Sequence, residues 1–222
     1  MRIRFPVSKP RILDRIARAR GPLAFIDESF LAPSQWPDSF YIVSAAVIEK
    51  EIVLDVRKEL KRRVKQGTWH TTEAGRSEKG QQKIRELASY LATVVKPVIV
   101  VVDELAKSDR AAEAGRAQAL RACLEELARE HIYLTGTVVY ERRIPGYMQA
   151  HDDVILEGIR RQGGDASKLK VIGIASKREP LLWIPDLICW AFRQAYLDDD
   201  RGYFTDLAKV AKVIHLNGPE KK

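Results

Sequence analysis

Short unbroken apolar runs alternate along this chain with longer stretches in which apolar side chains recur every three to four residues. The first pattern reads as buried strand, the second as amphipathic helix. Leu23-Ala-Phe-Ile-Asp27 is predicted to be a strand ending in an acid. Phe40–Ile48 is its hairpin partner, across a loop that carries Pro33, Pro37 and Asp38. Val53, Val56, Leu60 and Val64 share one face of a helix over 50–65. Gln66–Ser77 reads as a loop, and Ser77 as the cap of a second helix. The inner stripe of that helix runs through Ile84, Leu87, Leu91 and Val95, and Pro97 interrupts it. Val98-Ile-Val-Val-Val-Asp103 is a run of mostly β-branched residues, the signature of a strand covered on both faces, and it too ends in an acid.

The second half repeats the alternation. A helix is expected over 111–130 with Leu120, Leu124 and Leu127 inward, a strand over 135–140, a helix over 147–161 and a strand over 171–175. A helix over 184–197 follows, buried through Leu187, Ile188, Ala191 and Phe192, then a short helix and a strand over 213–216. An initial hairpin followed by alternating elements predicts one α/β domain over 21–222, built on a mixed sheet flanked by helices. A basic segment, 1–20, precedes it.

Composition narrows the class of protein. The 222 residues suffice for one well-cored domain. No apolar run approaches the roughly 20 residues of a membrane helix, and no secretory signal is visible, so a cytoplasmic protein is expected. Cys123 and Cys189 both fall in helical, apolar stretches. They read as small buried side chains rather than a disulfide or a thiolate metal site. Net charge is +8. Residues 1–20 hold seven basic side chains against Asp14 alone, and a second cluster spans Arg57, Lys58, Lys61, Arg62, Arg63 and Lys65. Such clusters suit a polyanion, with nucleic acid the natural partner. A merely solvated basic face is the competing reading.

The candidate chemistry lies in the carboxylates. Ligands of open α/β sheets bind beyond the carboxyl ends of the strands. Acids at neighbouring strand ends, about 4.8 Å apart, can share one hard cation. Asp27 and Asp103 fit that description, each followed by a further acid, Glu28 and Glu104. Acids also open loops for purely local reasons. Asp186, beside Pro185 at the start of a helix, suits helix electrostatics as well as a site. In Trp69–Arg76, Glu73 can be a ligand, His70 a general acid or base and Arg76 a phosphate contact. Arg142 and Arg143 follow a strand and, with Arg62 and Arg63, are candidate phosphate contacts. No GxxxxGK, GxGxxG or GxSxG motif is present, which disfavours nucleotide-triphosphate, dinucleotide and serine-hydrolase chemistry.

At Phe25-Ile26-Asp27-Glu28-Ser29 the chain resembles the family known as domain of unknown function 3800. The resemblance continues through the Phe40–Ile48 strand and the acid at Asp103 to Pro185-Asp186-Leu187. Phe30 stands where that family usually has Gly, and Pro185 where it has a small residue. The resemblance implies a ribonuclease H-like fold and Mg²⁺- or Mn²⁺-dependent nuclease or phosphodiester chemistry on RNA or DNA. Asp27, Asp103 and Asp186 would hold metal, helped by Glu28, Glu73 or Glu104. The alternative is a non-catalytic nucleic-acid-binding or protein-interaction module on the same fold.

Overall fold

The structure, a computed structural model, describes residues 14, 16, 18–34, 39–65, 67–131, 136–142, 147–174, 179–197 and 201–216. Most of the basic segment 1–20, and Arg143, lie outside these. Six strands form one sheet: β1 (Leu23–Leu31), β2 (Phe40–Ile48), β3 (Lys96–Asp103), β4 (Thr137–Glu141), β5 (Lys170–Ile174) and β6 (Lys212–His215). Their order is β5-β4-β1-β2-β3-β6. β2 runs antiparallel to both its neighbours, while the β1–β4, β4–β5 and β3–β6 pairs are parallel. This is the mixed, helix-flanked sheet expected from the sequence.

Side chains alternate across the pleat, so each strand feeds two cores. On one face Leu23, Phe25, Ile42, Ile99 and Val101 meet α1 (Val53–Val64), α2 (Thr71–Ala74), α3 (Glu78–Leu91), α6 (Trp183–Leu197) and α7 (Thr205–Ala208). On the other, Ala24, Ile26, Val43, Val98 and Val100 meet α4 (Glu113–Glu126) and α5 (Tyr147–Gln162). Val98–Val102 are all essentially inaccessible, as a strand covered on both faces requires. Each such side chain contributes about 1.5–3 kcal/mol on burial.

Local signals set the helix ends. α1 stops where Lys65 turns left-handed (φ 58°) and its amide reaches back to the Lys61 carbonyl. Ser77 caps α3 by accepting from the Gly80 amide at 3.2 Å. Three expectations need correction. β1 does not end at Asp27 but continues to Leu31, since Glu28–Leu31 keep pairing with β2. Pro97 does not break a helix, which already ends at Leu91; it lies inside β3. The 66–77 loop folds in part as the short helix α2. Both cysteines are buried and free, and burial pushes the Cys123 thiol up to about 12.

Candidate active site

Strand order decides which acids can meet. β1 and β3 are not neighbours, because β2 lies between them. Asp27 pairs with Ser44 of β2, whereas Asp103 pairs with Phe40. Asp103 is therefore four residues further along the sheet and two strands across, about 16 Å away at ordinary strand dimensions. The neighbour that does reach Asp27 is β4. Ile26 is level with Tyr140, so the next residues, Asp27 and Glu141, lie side by side on parallel strands. Sequence reasoning missed Glu141, although Val138-Val-Tyr-Glu141 carries the same signal of an apolar strand ending in an acid.

The third acid comes from α6. Its N-terminus is docked over the Asp27 level by the buried Ser44 hydroxyl, which donates to the Pro185 carbonyl at 2.9 Å. One turn on, Cys189 lies against the Asp27 carbonyl. Asp186, in the first turn, is thereby turned inward toward Asp27 rather than left as a solvated capping charge. The Thr71 amide and hydroxyl hold it, donating to Oδ2 at 3.0 and 2.8 Å. Trp69 Nε1 in turn donates to Thr71 Oγ1 at 2.8 Å.

Electrostatics mark this group out. Burial pushes the Asp27 carboxyl well above the ordinary carboxylate range, and the nearby Asp186 and Glu141 push it further, against a smaller opposing effect of Arg116. Burial raises Asp186 as well, opposed by its hydrogen bonds from Thr71 and by the proximity of His70. Among the described residues, the Glu28 amide is the one donor to the Asp27 carboxylate, at 2.8 Å. Like charges gathered in an enclosed place are stable only when a proton or a cation joins them. The donor set is all oxygen, which suits Mg²⁺ or Mn²⁺. Such ions are commonly held by one or two carboxylates, with waters and substrate phosphate completing the shell. Among the described residues no three His, Cys, Asp or Glu side chains converge to enclose an ion. The fit is thus to an open site on Asp27 and Asp186, with Glu141 alongside.

The remaining expected residues separate. Glu28 faces the opposite side of β1 from Asp27. It pairs with Arg116, a buried cation that also contacts Asp152 Oδ1 at 2.8 Å and Tyr41 Oη at 2.8 Å. Asp103 accepts from the Tyr196 hydroxyl and meets His215 Nδ1 at 2.7 Å. Glu104 takes a left-handed turn (φ 55°) and is exposed. Glu73 joins His70 in an adjoining recess of about 390 Å³. Arg76 is exposed. Arg62 and Arg63 both bond Glu59 at 2.7 Å, and Arg63 stacks on Tyr90. Arg142 is exposed, and among the described residues its guanidinium meets no acid.

Fold and site together define an α/β protein with a mixed six-stranded sheet and a half-buried acidic group between β1, β4 and α6. No protein-family profile matches the chain, and no curated protein sequence matches it. A similar solved structure is a chain of the PCNA:RNase HII complex from Archaeoglobus fulgidus, at 15% identity over 85% of this chain and 81% of that one, with a TM-score of 0.46. No helix among the described residues is long and apolar enough to cross a membrane.

Proposed function

We propose that this chain is a divalent-metal-dependent nuclease, or a closely related phosphodiester-processing enzyme, with its centre at Asp27 and Asp186. The observation that carries this reading is the raised, mutually repelling pair of carboxylates at the β1–β4 crevice, brought together from distant parts of the sequence. Asp27, Asp186 and Glu141 would hold Mg²⁺ or Mn²⁺, which when bound supplies an activated water and neutralises charge on phosphorus. The chain's own contribution is orientation. Thr71 fixes Asp186 through two donors, and the Glu28 amide fixes Asp27. His70, close enough to influence Asp186, is placed to give or take a proton at the edge of the site.

The test is thermal unfolding with and without Mn²⁺, for wild type and Asp27→Asn. A ligand at about 100 times its dissociation constant adds about 2.7 kcal/mol. A metal-dependent shift in wild type that the variant lacks is the expected result; an equal shift in both would remove Asp27 from the site. A second reading rests on the same three residues. With no enclosing third ligand among the described residues, the carboxylates can share a proton and leave a binding module without catalysis. Salt-sensitive nucleic-acid binding with no metal response would favour it.

A further inference from the structure

The face of α6 that carries Asp186 also carries a cation. Between Asp186 and Arg193, only Asp186, Trp190 and Arg193 are half-buried, and the other side chains are buried. Those three stand at i, i+4 and i+7, a single stripe of a helix. Arg193 therefore lies on the Asp186 side of α6, two turns and about 10.5 Å further along.

β1 surfaces in step with that stripe. Leu23–Ile26 are buried, whereas Asp27 and Ser29 are half-buried. These two share the face of Phe25, the face that packs against α6. They are about 6.7 Å apart along the strand. Two contacts fix the helix over the strand: Cys189 lies against the Asp27 carbonyl, and four residues on Arg193 Nη1 donates to Ser29 Oγ at 3.4 Å. The Arg193 guanidinium also lies 5.9 Å from the centre of the Phe40 ring. Ser29 and Phe40 are neutral, and both contacts are at the long end of their ranges. Either can be exchanged for the charged, two-pronged contact that a phosphate offers an arginine.

We infer that Arg193 binds the phosphate next to the one held at Asp27 and Asp186, so that the site takes a nucleic-acid strand rather than a mononucleotide. The inference rests on the phosphodiester-processing reading and narrows its substrate. The cation stands about two β1 residues beyond the acids, on the same side of the sheet. That step is close to one sugar–phosphate repeat, so consecutive phosphates of a strand can engage both at once. The acids need a cation before they attract a phosphate, whereas the arginine does not.

The experiment is fluorescence anisotropy of a short labelled single strand, at low salt and in EDTA, so that neither metal nor cleavage enters. Arg193→Gln should weaken binding about tenfold, the loss of one charge-assisted contact. It should also flatten the dependence of log K on log salt by about 0.7, one phosphate on a single strand. Arg193→Lys, which keeps the charge but not the fork, should keep the salt slope and recover part of the affinity. Thermal unfolding of both variants separates a structural role, which would lower the melting temperature and leave the slope alone. Unlabelled strand should displace the probe at a far lower phosphate concentration than a mononucleotide does. Wild-type affinity and slope in Arg193→Gln, a wild type that does not bind the strand, or equal competition per phosphate by the mononucleotide would overturn the inference. Each of these results leaves the Mn²⁺ test of Asp27 standing. Conversely, strand binding that depends on Arg193 but comes without any Mn²⁺ response supports the arginine contact and sinks the metal centre.

Discussion

Asp27 and Asp103 are written alike in the sequence and used oppositely in the fold. Each follows four or five apolar residues, and each is followed by Glu. Asp103 is buried with a donor for each oxygen, Tyr196 from the end of α6 and His215 from β6. It ties the last strand and the last long helix onto β3. Among the described residues Asp27 has one backbone donor and two acidic neighbours, and burial with those neighbours raises its carboxyl above the ordinary range. A satisfied carboxylate stabilises a fold, whereas a frustrated one costs stability and is a candidate for binding. α6 spans the contrast. Asp186 and Tyr196 are ten residues apart, about 15 Å along the helix, so one element serves the candidate site at its start and the clasp at its end.

The contrast breaks most visibly under truncation. Asp103→Leu removes the acceptor from two enclosed donors and should cost roughly 2–4 kcal/mol in urea unfolding. Asp103→Asn, which can still accept, should cost less. Both should keep the Mn²⁺ response of wild type. An Asp103→Leu protein with wild-type stability and no Mn²⁺ response would hand the ligand role to Asp103 and reverse the assignment.

The opposite sign is expected at Asp27. Its folded carboxyl holds a proton to higher pH than the unfolded one, whose ordinary value is 3.8. Without metal, that contribution is fully present below about pH 4 and is lost as pH rises through the raised folded value. Asp27→Asn removes the loss. Metal-free, it should melt higher than wild type at neutral pH, by about 2–4 °C for each kcal/mol relieved in a chain of this length, and its stability should vary less with pH. A variant that melts lower at neutral pH than wild type would mean that the charge is already compensated.

These two residues also show what a sequence can and cannot disclose. Apolar runs and helical stripes depend on local periodicity, so the strands, most helices and the Ser77 cap were legible. The acids were legible as candidates, and Asp186 lies close enough to Asp27 to raise its carboxyl. What could not be read was the order of strands. The hairpin places β2 beside β1, but nothing local says that β4, not β3, takes β1's other edge. The expected sharing between Asp27 and Asp103 therefore failed, and Glu141 went unnoticed. Partners distant in sequence were hidden for the same reason. Arg116 and Asp152 lie inside helical patterns, and only packing shows that they bury a charge pair beneath Glu28.

A smaller effect sharpens the comparison from the side of the donors. Thr71→Val deletes the hydroxyl that donates to Asp186 and accepts from Trp69. The expected cost is about 1–2 kcal/mol. The Asp186 carboxyl should titrate higher still, because that hydrogen bond holds it down. Thr71→Ser should restore both. Mn²⁺ affinity should fall in the valine variant and recover in the serine one. Equal Mn²⁺ affinity in all three would make Thr71 a packing residue alone.

The smallest effect is on the surface, where the same distinction between counted and available charge recurs. The 57–65 cluster looks in sequence like a free basic face. In the fold Arg57 is committed to buried Glu179, and Arg62 and Arg63 converge on Glu59, whose carboxyl they bring down to about 2. Lys58 pairs with Asp55. Much of the apparent excess is therefore neutralised locally. Glu59→Gln tests this directly. It should leave the melting temperature nearly unchanged, since exposed pairs contribute little, while releasing two guanidinium groups. Heparin or nucleic-acid retention at low salt should then rise and fade as salt is added. If retention is unchanged by Glu59→Gln, the charged face of α1 is only solvated.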